Sequence, residues 1–279
     1  MINLELVGKK SDPIVYEYTW KDVALYNLGV GCKAAELQYV YEHAGEGLKP
    51  IPTFAVVPGS QNMANVMFSL NVNLMTLLHG EQATIVHQPI PSEGKLINRA
   101  VVTNIFDKGK GALAVIKIES ANEKGEPVFD SIVSLFCRGE GGFGGDPGPK
   151  PETYDPPAGR APDFECTLQT SEDQAAIYRL SGDINPLHID PQFAAMAGFD
   201  RPILHGLCTY GFACRAVVYK ACGGDPTKLK EFKVRFTKPV FPGQAITTRG
   251  WNMGNGIYHV TASVGSDAVL TQSCARVAA

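Results

Sequence analysis

Within Tyr178-Arg-Leu-Ser-Gly-Asp-Ile-Asn-Pro-Leu-His188, three side chains that could share proton chemistry, Asp183, Asn185 and His188, fall within six residues. A carboxylate holds or takes a proton, an imidazole titrates near neutrality, and a carboxamide donates and accepts while uncharged. Together they could position and activate one water. Gly182 and Pro186 oppose a helix through the segment, because the residue before proline is pushed toward extended geometry, so the three groups are expected to converge from a loop. Asp183 and Asn185 could instead organise a plain surface turn through their own backbone. His188 at fixed spacing, with Leu204-His205-Gly206 downstream, weighs the segment toward a site. Asp190, just before Pro191, is expected only to cap a helix.

A chain of 279 residues with 44% hydrophobic content can build the one large or two ordinary domains needed to hold such a set. A net charge of -3 without any run of Lys and Arg argues against nucleic-acid binding. The seven cysteines form no Cys-x-x-Cys pair and no zinc-ligand spacing, which predicts a reducing compartment and no metal site. Met1-Ile-Asn-Leu-Glu-Leu-Val-Gly-Lys-Lys10 lacks the apolar core of a signal peptide, and no window of about 18 apolar residues is available to cross a bilayer. The final residues carry no recognisable peroxisomal tripeptide. Gly29-Val-Gly-Cys-Lys-Ala34 matches a dinucleotide-binding pattern but has no clear strand before it and no βαβ unit around it. His43, His87 and His259 show no partner spacing and are expected to be surface or structural histidines.

Residues 139–162 are rich in Gly and Pro and read as a linker between an N-terminal half, 1–138, and a C-terminal half, 163–279. The halves echo one another. Ala24-Leu-Tyr-Asn-Leu-Gly-Val-Gly31 resembles Ala176-Ile-Tyr-Arg-Leu-Ser-Gly-Asp183 at an offset of 152 positions, Leu78-His-Gly80 recurs as Leu204-His-Gly206, and Pro89 recurs as Pro239. At the 152-residue offset Asp183, Asn185 and His188 face Gly31, Lys33 and Glu36, so only the second half keeps the acid-base set. The second half has room for a helix through Thr209–Ala221, whereas only 10 positions separate His79 from Pro89. The first helix is therefore expected to be reduced or lost, leaving a groove for a long apolar ligand. Phe232, Val234 and Phe236 alternate with Lys233, Arg235 and Thr237, and Ala112–Ile118 is followed by Val128–Phe136 across a Gly125 turn. Hairpins of this kind predict an α+β fold with antiparallel sheets.

The Asp183-x-Asn-Pro-x-His188 core, Gly198-Phe-Asp-Arg-Pro-Ile-Leu-His-Gly206 and Val234-Arg-Phe-Thr-Lys-Pro-Val-Phe-Pro-Gly243 resemble the R-specific 2-enoyl-CoA hydratase family, which includes the hydratase part of peroxisomal multifunctional enzyme type 2. The resemblance covers essentially the whole chain. It implies a double hot-dog fold, each half wrapping an antiparallel sheet around a helix, and a homodimer. It also implies hydration of trans-2-enoyl-CoA to (3R)-hydroxyacyl-CoA in fatty-acid β-oxidation, a peroxisomal location, and no cofactor beyond the coenzyme A carried by the substrate. By the same resemblance His79, Gly80 and Lys108 contact substrate.

Adding water to an enoyl thioester needs a base, a proton donor for C2 and a stabiliser for the thioester oxygen. Asp183 and His188 suit the proton work, with Asn185 orienting the water. Gly206, at the start of the expected helix, suits the oxyanion role through its backbone N–H. Arg235, or second to it Lys233, suits a coenzyme A phosphate, since a guanidinium grips phosphate bidentately. His205 either touches ligand or shapes the turn before the helix. Competing readings are an acyl-thioester dehydratase, a hot-dog thioesterase and a non-catalytic acyl-CoA binding module.

Overall fold

The computed structural model describes residues 1–278. The N-terminal half contains β1 (Ile14–Tyr18), α1 (Trp20–Gly29), α2 (Leu37–Val40), α3 (Ser60–Ser69), β2 (Leu77–Val86), β3 (Gly94–Asp107), β4 (Gly111–Ala121) and β5 (Pro127–Arg138). The C-terminal half contains β6 (Phe164–Gln169), α4 (Gln174–Tyr178), α5 (Pro191–Met196), α6 (Gly206–Lys220), β7 (Leu229–Phe236), β8 (Ala245–Gly254), β9 (Ile257–Val264) and β10 (Asp267–Val277). All ten strands join one sheet in the order β1-β3-β4-β5-β2-β7-β10-β9-β8-β6. Read inward from either edge, each half gives the same order: its first strand, third, fourth, fifth, and then its second at the centre. The duplicated phrases thus have a topological counterpart, and the halves meet where β2 pairs antiparallel with β7, Gln82 opposite Val234. The neighbouring pairs β4·β5 and β9·β10 are antiparallel too, as hairpin connections require. The architecture is the expected double hot-dog.

The repeated Ala-x-Tyr-x-Leu phrases lie on α1 and on α4 with the 3-10 turn Arg179–Ser181 that follows it. The two principal helices differ. In α6 eleven of 15 residues are buried, and Tyr210 and Phe212 are fully enclosed, so this helix is the axis of the main core. Burying an aromatic or aliphatic side chain of this size contributes about 1.5–3 kcal/mol, so α6 is held by packing on all sides. In α3 only Asn62 of ten residues is buried, and Met63, Val66 and Met67 rest half-covered on a separate core formed by β3, β4 and β5. The first-half helix is reduced rather than lost. It rests on that core without being sunk into the sheet, and Phe68 on its far end is 72% exposed.

The halves are also stitched by a buried ion pair. Arg215 of α6 donates to the Glu36 carboxylate at 3.0 Å, to Val30 O at 2.9 Å and to the Tyr219 hydroxyl. Gly31, with φ +87°, is required here: a Cβ would come within 2.4 Å of the Phe212 ring. Between Arg138 and Phe164 the chain forms no strand or helix. It runs over the outer face of the sheet, where the Asp107 carboxylate accepts the Gly142 and Gly144 N–H groups at 2.8 Å each. Further along, Gln272 accepts the Tyr154 N–H at 2.6 Å.

Candidate active site

Asp183 and Asn185 lie on an exposed loop, and His188 ends the 3-10 turn Pro186–His188. The local reasons are legible in the bonds. The Asp183 carboxylate accepts the Asn185 N–H at 3.2 Å, and the Asn185 side-chain Oδ1 caps the turn by accepting from Leu187 N at 3.0 Å. Both the turn-forming and the water-binding readings of these residues are therefore geometrically open to them, because each keeps free atoms. Asp190 caps α5, accepting from Gln192 N at 2.8 Å and Phe193 N at 3.4 Å, as its place before proline predicts.

His188 is 8% exposed and its Nδ1 lies 2.8 Å from Ile203 O. A carbonyl only accepts, so Nδ1 carries the proton and Nε2 keeps a lone pair. Burial holds the His188 pKa below its usual value, so at neutral pH the ring is an uncharged acceptor. His205 is 1% exposed; its Nε2–H donates to the Asp183 main-chain carbonyl at 3.1 Å, and its ring stacks on His188 with centroids 3.8 Å apart. Burial, reinforced by the neighbouring His188, pushes His205 down to about 4. Ligating atoms of Asp183, His188 and His205 lie within 4.8 Å of one another. The fold thus gathers a donor set that could hold a metal ion, which spacing along the chain had not revealed. The rings sit face to face, whereas imidazole ligands point their lone pairs at a common centre.

Gly206 is the first residue of α6 and follows His205, its N-cap. Its N–H is one of the first-turn donors that no helical carbonyl reaches, and none of the described residues accepts it. The Phe236 ring lies beside it, 3.4 Å from where a Cβ at Gly206 would stand. Against that ring stands His79 of β2. Its ring meets Phe236 edge-on at 5.0 Å, its Nε2 is buried without a partner, and burial lowers its pKa to about 4. Gly80 follows at a bulge, where the β2·β5 register slips between His79 and Glu81. The structure therefore brings Asp183, His188, His205, Gly206 and His79 to one place.

Lys108 and Arg235 lie elsewhere. Both line a cavity of about 550 Å³ between the outer face of the sheet and linker residues Pro149–Tyr154. Gly80 and Phe236 also line this cavity, so it adjoins the cluster around His79 and Gly206 at that point. Lys108 Nζ donates to Pro147 O on the linker. The Arg235 guanidinium is bound to Glu81 directly across β2·β7, with nitrogens at 2.6 and 2.8 Å from one carboxylate oxygen. Arg235 is on the strand face anticipated from alternation, but its charge is already partnered. Lys233 lines the same cavity and lies over the Tyr154 ring at 5.6 Å. Of the remaining histidines, His87 contacts Asp130 at 3.1 Å, His259 Nδ1 contacts Asp155 O at 2.8 Å, and His43 lies at the surface beside Glu42. The Gly29–Ala34 pattern spans the end of α1 and the turn after it, with no βαβ unit.

Phe236 was missed by sequence reasoning, which counted it as one more apolar residue of a strand. Its only signal was its position, at the end of β7 just before Thr237-Lys-Pro239.

Residues 16–139 match the MFE-2 hydratase 2 N-terminal domain, and residues 154–272 match the MaoC like domain. A probable enoyl-CoA hydratase 2 of Dictyostelium discoideum is 45% identical over 255 residues, covering 89% of this chain and 86% of that protein. The peroxisomal multifunctional enzyme type 2 of Mus musculus is 41% identical over 263 residues, 91% of this chain but 36% of that longer protein. The crystal structure of a MaoC-like dehydratase from Phytophthora capsici superposes with a TM-score of 0.88 at 33% identity, covering 99% of this chain and 98% of that one. Matched in both halves, and across most of the length of a relative well above 30% identity, the chain belongs to the enoyl-CoA hydratase 2 family of hydro-lyases.

Proposed function

We propose that this protein adds water to trans-2-enoyl-CoA in fatty-acid β-oxidation, giving (3R)-3-hydroxyacyl-CoA, with Asp183 and His188 as the water-activating pair. The observation that carries the reading is the placement of those two groups beside the unpaired N–H of Gly206. One water donates a hydrogen bond to the Asp183 carboxylate and another to the His188 Nε2 lone pair, with Asn185 Nδ2 fixing its orientation. Its oxygen bonds to C3 as Asp183 takes a proton. The electron pair of the C2–C3 double bond moves onto the thioester, whose oxygen accepts the Gly206 N–H. Asp183 then returns its proton to C2, so H and OH add from one face. Neutral His188 holds the hydroxyl hydrogen that stays on the product.

The first repeat, residues 1–138, takes the acyl chain along the half-covered face under α3, and the second, 163–279, carries the chemistry. Flexible Met63 and Met67 on that face suit chains of varied shape. His79, Gly80 and Phe236 border the thioester, and the outer cavity with Lys108, Lys233 and Arg235 takes the coenzyme A end. No cofactor beyond the substrate's own coenzyme A enters this scheme. A peroxisomal location is supported by relatives that carry that word in their names, and the homodimer rests on the family resemblance. Dehydration of a 3-hydroxyacyl thioester is the same chemistry in reverse and is favoured by the likeness to the MaoC-like dehydratase.

Mixing the protein with trans-2-decenoyl-CoA tests the reading. Hydration removes the conjugated absorbance without releasing thiol, hydrolysis releases thiol, and a binding module does neither. A chiral column then resolves the 3-hydroxy product, and an exclusively S product overturns the assignment.

A further inference from the structure

We infer that His205 acts as a positioning residue that fixes both members of the water-activating pair, rather than as a contact to substrate. The inference rests on the proposed roles of Asp183 and His188. The loop that carries Asp183 is weakly anchored: Leu180 and Ile184 are 60% and 68% exposed, and residues 182–185 form no helix or strand. Among the described residues, the bond that ties the Asp183 backbone to the core is the one from His205 Nε2 to its carbonyl, 3.1 Å long. His205 itself cannot drift. It is the N-cap of the most enclosed helix, and its other face lies against the buried Tyr178 ring at 4.9 Å. That same imidazole is the surface on which His188 stacks, while Ile203 O fixes the edge of the His188 ring.

The residue type is informative. A phenylalanine would supply the stacking plane and a glutamine the donor; histidine offers both from one Cβ in a ring smaller than those of tyrosine or tryptophan. It does so at a cost, since its Nδ1 is buried with no partner. A nitrogen left unsatisfied in the core is the expected price of a group retained for its other two contacts. Charged and titratable groups facing His205 are His188, Arg179, Asp183 and Tyr178; His188 and Arg179 disfavour a proton on it, whereas Asp183 favours one.

Two substitutions separate the donor from the plane. His205→Phe keeps the plane and loses the donor; His205→Gln keeps a donor at the Nε2 position. Positioning predicts that His205→Phe loses about 10- to 100-fold in kcat with KM within threefold of the parent, and that His205→Gln, which restores the donor but not the plane, recovers part of that loss. Thermal midpoints are recorded beside the rates, since a purely structural role lowers the midpoint while leaving the rate per folded molecule unchanged. Parental kcat in folded His205→Phe, or an equal loss in both variants, overturns the inference. If neither variant folds, imidazole ¹H–¹⁵N spectra of the unsubstituted protein decide: the inference requires the Nε2–H tautomer at His205, and an Nδ1–H tautomer refutes it. Absence of hydration by the unsubstituted protein, or normal turnover by Asp183→Asn, would instead sink the functional reading while leaving the tautomer result standing.

Discussion

Replacing Asp183 by asparagine isolates the proton transfer from everything else the residue does. The side chain is exposed and, among the described residues, its one hydrogen bond is that which Oδ1 accepts from Asn185 N–H, which the new carboxamide oxygen can accept equally. Volume is unchanged and no buried contact is lost, so unfolding free energy should move by less than about 0.5 kcal/mol. What is lost is an atom that can take and return a proton. Positioned acid-base groups contribute about 10² to 10⁴ in rate, which at about 1.36 kcal/mol per factor of ten is a barrier increase of about 2.7–5.4 kcal/mol. The assay follows loss of the enoyl-thioester absorbance under saturating substrate, with urea unfolding run on the same preparation. A folded Asp183→Asn protein within tenfold of the parental kcat would remove the carboxylate from the reaction.

Three other outcomes follow from burial and charge. Because burial depresses the His188 pKa and the neutral ring is the working form, kcat/KM should be flat near neutrality and fall only below about pH 6.5; an acid limb centred above pH 7 contradicts this. His79 titrates at about 4 when folded and near 6.5 when unfolded, so between those values the unfolded chain binds the extra proton. Its contribution is complete above about pH 6.5 and is lost on acidification at up to about 1.4 kcal/mol per pH unit. His79→Gln should flatten that part of the urea-midpoint profile, and an unchanged slope would refute the assignment. Arg215→Ala leaves the Glu36 carboxylate and Val30 O without their buried donor, and with Glu36 24% exposed the loss should be about 3 kcal/mol by urea unfolding; a change below 1 kcal/mol would be inconsistent.

The parts that could be read from sequence are those written locally. Asp183, Asn185 and His188 sit within six residues, so the Gly-Asp and Asn-Pro steps alone bring them into one loop. The duplicated Ala-x-Tyr-x-Leu phrases land on equivalent helical segments, and the alternation at Phe232–Phe236 puts Arg235 on the outer face. The parts that stayed hidden depend on partners far along the chain. Glu81, which occupies Arg235, is 154 residues away and meets it only through the register between the two halves. The contact of Phe236 with His79 depends on that same seam. His205 lies 22 residues from the Asp183 carbonyl it holds, with α5 folded between them. The length of α3 was also obscured, because its Met and Val residues face a separate small core and leave the rest of the helix in solvent.

A crystal structure with a bound (3R)-3-hydroxyacyl-CoA tests the arrangement most directly. The product's 3-hydroxyl should lie within hydrogen-bond distance of Asp183, Asn185 and His188, with the thioester oxygen on the Gly206 N–H. A product whose hydroxyl lies away from Asp183 and His188, or whose thioester oxygen faces another donor, would contradict the proposed chemistry.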